Sequence, residues 1–172
     1  YGVPSICFVN KMDRVGASYE RSIEMIRNRL GANPLAVQVP IGEEADFRGV
    51  VDLIEEVAIV WEDDLGKEPL RVPIPEELVA RVRAKREQMV EQIAEMDDNL
   101  TVQYLEGGEI TPRDLKTALR RAVISGKATA VFCGSSLRNK GVQPLLDGIV
   151  EYLPSPLDIP PVQGTHPRTG EV

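Results

Sequence analysis

The chain has 172 residues, 42% hydrophobic and 27% charged, with 14 Gly, 13 Pro and a formal charge of −7. This composition fits one domain, or a domain with a small insert, excludes wholesale disorder, and disfavours nucleic-acid binding by charge alone. No apolar run approaches the roughly 20 residues of a membrane span, and Cys7 and Cys133, far apart in apolar runs, read as buried thiols of a reducing compartment.

Ile6-Cys7-Phe8-Val9 is a short continuous apolar run and predicts a strand buried on both faces, as in a parallel sheet. Ser18 can cap a helix running to Leu30 and stopped by Gly31, with Tyr19, Ile23, Ile26 and Leu30 on one face. Leu35 to Val39 alternates as a strand bounded by Pro34 and Pro40. Val57–Trp61 and Leu70–Ile74 flank Asp63-Asp64-Leu65-Gly66-Lys67, a hairpin signal, and Pro73 places the second strand at an edge. Trp61 reads as a packing residue of that hairpin.

Pro75 opens a long helix to about Asp97, with Leu78, Val82, Met89, Ile93 and Met96 within one narrow arc. Leu100, Tyr104 and Leu105 suggest a shorter helix stopped by Gly107-Gly108. Thr111-Pro112-Arg113-Asp114 carries a cap residue, a proline at the first helical position and an acid three after the cap, and opens a helix that uses Leu115, Leu119, Ala122 and Val123 and ends at Gly126. Ala128–Cys133 is a second buried-strand run, leading through Gly134-Ser135-Ser136-Leu137 into a helix with Leu145, Leu146, Ile149, Val150 and Leu153. The outer thirds thus read strand, loop, helix, and the middle third reads as hairpin strands plus helices. An α/β parallel sheet interrupted by an α+β insert accounts for this pattern.

The charge follows the same division. Residues 1–30 carry 5 basic and 3 acidic side chains and residues 127–172 carry 4 of each, whereas residues 31–126 carry 11 basic and 20 acidic ones. The middle segment therefore holds the whole negative excess.

Asn10-Lys11-Met12-Asp13 directly follows the first strand, where ligands bind in open α/β sheets. A carboxylate there can accept two parallel hydrogen bonds, from guanine N1–H and its exocyclic amine; adenine offers no such pair. The Asn10 amide can donate to the base and tie neighbouring loops, and the Lys11 stem can lie over the ring. The alternative is an ordinary polar loop after a strand. Ser135-Ser136-Leu137 again follows a buried strand, and its backbone N–H groups could bind the base carbonyl O6; the alternative there is a Ser-rich turn into a helix.

Phe8-Val9-Asn10-Lys11-Met12-Asp13-Arg14 resembles the guanine-specificity motif of translational GTPases, and Cys133 to Gln143 (CGSSLRNKGVQ) resembles the second base-contact loop of bacterial elongation factor G. The similarity continues through Gly31-Ala32-Asn33-Pro34, Gly49-Val50-Val51-Asp52-Leu53 and Tyr152-Leu153-Pro154-Ser155-Pro156. It departs at Ser135-Ser136, where the family usually has Ser-Ala; a contact made by backbone N–H should survive that change.

The resemblance implies a partial P-loop GTPase-type sheet: residues 1–30 with the guanine-specificity loop, 31–126 as the insert of elongation factor G, 127–156 with the second base-contact loop and last helix, and 157–172 as a linker and the start of a β-barrel domain. It implies a cytoplasmic translation factor that binds GTP or GDP and hydrolyses GTP during translocation on the ribosome, acting on tRNA and mRNA indirectly. A ribosome-recycling paralogue of the same fold and a non-hydrolysing ribosome-binding module are the alternatives.

The chain has no Gly-x-x-x-x-Gly-Lys-[Ser/Thr] loop to cradle phosphates. It therefore reads as a fragment with the base-reading half of the site, with no catalytic or metal-ligating residue of its own, inactive alone, and with Mg2+ expected only through residues outside it. The family's insert meets the stalk protein of the large ribosomal subunit, and here Glu87, Glu91 and Glu95, spaced by four, form an acidic ridge that could meet a basic partner; a solvated helix face is the alternative. Arg81, Arg83, Lys85 and Arg86 on the same helix are expected to pair locally with those glutamates. His166 is assigned no role.

Overall fold

The computed structural model describes residues 2–63 and 65–158. Asp64, His166, Pro160, Pro161 and most of the expected linker at 157–172 lie outside the described residues. In chain order the elements are β1 (Ile6–Val9), α1 (Tyr19–Leu30), β2 (Pro34–Ala36), β3 (Gln38–Ile41), β4 (Gly49–Asp52), β5 (Val57–Val60), β6 (Leu70–Val72), α2 (Glu76–Ala94), α3 (Asp98–Leu105), α4 (Pro112–Ile124), β7 (Thr129–Cys133) and α5 (Val142–Tyr152).

Two sheets result, a parallel one in the order β1-β7-β2 and an antiparallel one in the order β3-β4-β5-β6. β7 is the strand that the apolar runs predict: all five of its residues are buried. Its side chains alternate between two cores, Ala130 and Phe132 facing the layer of α2, α4 and α5, and Val131 and Cys133 facing Met12, Tyr19 and Ile23. Each large side chain buried this way contributes about 1.5–3 kcal/mol. β1 differs from the expectation. It pairs only with β7 among the described residues, and all four of its residues are half-buried, because it forms the sheet edge.

The expected single strand at Leu35–Val39 is two. Pro34–Ala36 pairs in parallel with β7, whereas Gln38–Ile41 pairs antiparallel with β4. The change of partner falls at Val37, whose N–H donates to Val131 O while its carbonyl accepts from Leu53 N–H. Alternation cannot reveal this, since both halves bury their side chains. β4 was hidden for a related reason: Gly49-Val50-Val51-Asp52 is too short and too uniformly apolar to show a period of two, and it is central, with Val50 and Val51 buried in the two different cores. The hairpin reading holds, with β6 at the edge of its sheet.

Helix signals are the most legible feature. Ser18 caps α1 by accepting from Arg21 N–H, and Gly31 terminates it in the left-handed region. Thr111 and Asp114 form a reciprocal capping box at α4, whose Leu115, Leu119, Ala122 and Val123 are all buried. The long helix stops at Ala94, short of the expected Asp97. The Asp97 carboxylate instead caps α3 by accepting from Leu100 N–H. Of the α3 residues only Leu100 is buried, and Tyr104 and Leu105 are exposed.

α5 packs on the sheet through Pro144, Gly148 and Tyr152. A Cβ at Gly148 would lie 2.3 Å from the tip of the Phe132 ring, so the helix sits closer than any side chain permits. The expected apolar face is therefore only partly used: Leu146, Ile149 and Val150 are exposed. Cys7 and Cys133 are both free thiols, Cys133 buried and Cys7 half-buried. No helix among the described residues is long and apolar enough to cross a membrane.

Candidate functional site

The register Val9↔Cys133 brings the ends of β1 and β7 side by side, so the two loops that follow them leave the sheet together. Their backbones are joined at once, Gly134 N–H donating to Val9 O and Met12 N–H to Gly134 O. Met12 is fully buried, which anchors the Asn10–Asp13 turn beside the exposed Asn10 and Lys11. Lys11 adopts a left-handed conformation with φ 64°, and the Asn10 side-chain oxygen accepts its N–H at 2.8 Å. The turn is braced from the middle segment, where Glu44 N–H donates to Met12 O and the Glu44 carboxylate accepts from Gly16 N–H.

The second loop is a closed ring. Ser135 N–H donates to Lys140 O at 2.9 Å and Lys140 N–H returns to Ser135 O at 3.0 Å, with Arg138 N–H on Ser135 O and Asn139 N–H on Ser136 O inside it. The Asn10 amide stitches the loops together across 126 residues of sequence, its Nδ2 donating to Ser136 Oγ at 2.9 Å and its Oδ1 accepting from Ser136 N–H at 3.0 Å. Ser136 Oγ also lies 3.1 Å from that same Oδ1.

These bonds narrow the expected donor set. Ser135 N–H and Ser136 N–H already have partners within the protein, and Leu137 N–H is the one of the three left without one among the described residues. The Leu137 side chain is exposed, as are Lys11 and Asn10.

The Asp13 side chain is 7% exposed and lies 3.4 Å from the Arg138 guanidinium. Desolvation opposes its charge. The neighbouring Ser135 hydroxyl, its own backbone N–H and the Arg138 and Arg14 guanidiniums more than offset this, so its carboxyl stays below the usual carboxylate range. It is therefore a shielded, ionised, acceptor-only group. Ser135 itself is 1% exposed, and its hydroxyl completes no full hydrogen bond among the described residues.

All six residues expected from the sequence, Asn10, Lys11, Asp13, Ser135, Ser136 and Leu137, thus lie on two adjoining loops. Arg138 and Glu44 went unforeseen as parts of this region. Arg138 stands inside the motif string, but nothing in the string says that it faces Asp13. Glu44 has no sequence signal at all. Among the described residues no group of His, Cys, Asp and Glu could hold a metal ion.

The acidic ridge is a separate surface. Glu87, Glu91 and Glu95 are all exposed on α2. The expected local pairing of the basic residues is found only for Arg83 with Glu87, at 3.2 Å. Arg81 and Lys85 instead bind Glu20 of α1, and Arg86 binds Glu56. Three of the four cations therefore join α2 to other parts of the fold, because they lie on the flank of the helix that meets them. Glu91 and Glu95 enter no ion pair among the described residues.

A parallel sheet whose neighbouring strands end in two stitched loops is the arrangement in which open α/β domains bind ligands. The family model described as "Elongation factor Tu GTP binding domain" matches residues 1–155, and the chain belongs to that family. A solved structure from Thermus thermophilus is similar over 91% of this chain, with 34% identity and a TM-score of 0.79. The chain spans 23% of the length of that solved chain.

Proposed function

We propose that these residues are the base-reading part of an elongation factor G-type translational GTPase, with 31–126 as its insert. The observation that carries the reading is the Asn10–Ser136 stitch, which joins the loop of an ionised, shielded Asp13 to the loop of Leu137, whose N–H has no partner among the described residues. Asp13 can only accept, so it suits guanine N1–H and the 2-amino group and leaves adenine unpaired. An unpaired buried carboxylate costs more than a lost neutral hydrogen bond, which is the source of selectivity. Leu137 N–H is the donor for O6, and the exposed Lys11 stem lies over the base.

GTP supplies the hydrolysable phosphate, and Mg2+ its charge neutralisation, through residues outside these 172. The chain by itself hydrolyses no GTP in this proposal. The elongation factor G-like loop and insert motifs support a role on the ribosome, in translocation or in recycling. The test is nucleotide competition in the full-length protein. GDP should be displaced by unlabelled GDP, at least tenfold less well by IDP, which lacks the 2-amino donor, and not by ADP. ADP competing as well as GDP would overturn the base-site reading.

The exposed ridge of Glu87, Glu91 and Glu95 is proposed as the face that meets the ribosomal stalk protein, because Glu91 and Glu95 have no internal partner to neutralise them among the described residues. Reversing all three charges should slow association with ribosomes at low salt and have less effect at high salt. An unchanged low-salt association rate would remove the ridge from the account.

A further inference from the structure

We propose that Gly66, in the connection between β5 and β6, is the anchor of a latch on the second base loop, and that this latch sets how long guanine nucleotide stays bound. The inference rests on the base-site reading above and adds a positioning role for Gly66, Asn139 and Gln143.

The Gly66 carbonyl accepts two side-chain amides, Asn139 Nδ2 at 2.9 Å and Gln143 Nε2 at 2.9 Å, from residues 73 and 77 positions further along the chain. Both donors are partly buried. The approach is close enough to require glycine. Gly66 has φ 61°, and a Cβ there would lie 2.4 Å from Arg138 O and 2.7 Å from Asn139 O, both backbone atoms. The acceptor is held in place from its own side, since the Asp63 carboxylate accepts Leu65 N–H at 2.9 Å and Lys67 N–H at 3.1 Å, and Gly66 N–H donates to Asp63 O.

The latched residues are those that shape the base loop. Asn139 sits in the left-handed region at φ 52°, a conformation that Asn tolerates and most residues resist. It is followed by Lys140, which closes the ring onto Ser135. Gln143 lies in the first turn of α5, and its Oε1 is buried with no partner, so the bond to Gly66 is the one polar contact that fixes its amide among the described residues. The Ser135–Lys140 ring is therefore clamped from opposite flanks, by Asn10 on Ser136 and by Gly66 on Asn139 and Gln143. Loosening the second clamp leaves Asp13 on its own loop, still anchored by Met12, but frees the segment that carries Leu137 N–H. The expected consequence is faster loss of nucleotide with no change in which base is preferred.

The experiment measures dissociation of fluorescent GDP from the full-length protein, with association rate and thermal midpoint alongside. Gly66→Ala removes the close approach. Gln143→Glu keeps the size and turns a donor into an acceptor aimed at the carbonyl. Each should speed GDP dissociation about three- to tenfold, the range of one or two lost amide bonds, with the preference for GDP over IDP unchanged. The double variant should be no faster than the faster single one, since both break the same latch. Because Gln143→Glu leaves the backbone alone, it keeps the test decisive if Gly66→Ala misfolds. An unchanged dissociation rate in Gln143→Glu would overturn the latch. Asp13→Asn run in parallel separates the two ideas: if it abolishes the GDP preference while the latch variants have no effect, the base site stands and the latch falls. If Asp13→Asn leaves the preference intact, the base-site reading fails, and the latch with it.

Discussion

Replacing Asn10 by Ala removes the stitch between the two loops. The side chain makes the hydrogen bond from Nδ2 to Ser136 Oγ at 2.9 Å, accepts Ser136 N–H at 3.0 Å and accepts Lys11 N–H at 2.8 Å. A neutral hydrogen bond contributes about 0.5–1.5 kcal/mol net, and these three are exposed, so water can replace the lost partners and the low end applies. The sum is about 1–2 kcal/mol, a factor of about 5–30. Little of it should appear in global stability, because Met12 still anchors the first loop and the Ser135–Lys140 bridge still closes the second. The loss should fall instead on binding, since bound base needs Asp13 and Leu137 N–H placed together. Equilibrium titration of full-length Asn10→Ala with fluorescent GDP should give an affinity about 5- to 30-fold weaker, with the denaturation midpoint within experimental scatter of the parent. A GDP affinity within twofold of the parent would refute the reasoning that the stitch assembles the site.

Two further predictions concern the scaffold. Gly148→Ala should destabilise by about 1–3 kcal/mol in chemical denaturation, because the new methyl meets the buried Phe132 ring at 2.3 Å and α5 must lift from the sheet; an unchanged midpoint would mean that α5 does not pack as described. Asp97 gives a pH signature. Partial burial works against its charge, but Leu100 N–H and the Arg121 guanidinium at 2.6 Å hold its carboxyl below the usual range. A depressed native pKa means that the unfolded chain binds the proton first on acidification. The stabilisation is then present above the unfolded value of about 3.9 and is lost as pH falls through the native value. Asp97→Asn keeps a competent cap, so it should cost about 0.5–1 kcal/mol at neutral pH, with the gap closing below pH of about 4; a gap independent of pH would rule out the charge as its source.

What the sequence reveals and what it hides divide along physical lines. Helix ends rest on local chemistry, so Ser18, Gly31 and the Thr111–Asp114 box are legible and correct to the residue. Both candidate loops are legible because their residue types lie in short contiguous strings after apolar runs. The partner switch at Val37 is not, since a strand carries no local mark of which neighbour it will bond. The Glu44 brace, the Arg138–Asp13 pair and the Gly66 latch join residues 28 to 125 positions apart, and only the fold brings them together. The exposure of Leu146, Ile149 and Val150 was equally hidden, because periodicity marks an apolar face without saying what covers it.

The central claim, that Asp13 reads guanine, is tested most directly by its conversion to Asn in the full-length protein. An amide can donate to the C2 carbonyl of xanthine, where the carboxylate accepted from the 2-amino group of guanine. The account predicts that Asp13→Asn weakens GDP by at least a hundredfold, consistent with the roughly 3 kcal/mol cost of a lost charged hydrogen-bond pair, and binds XDP more tightly than GDP. GDP affinity equal to that of the parent, with no gain for XDP, would contradict it.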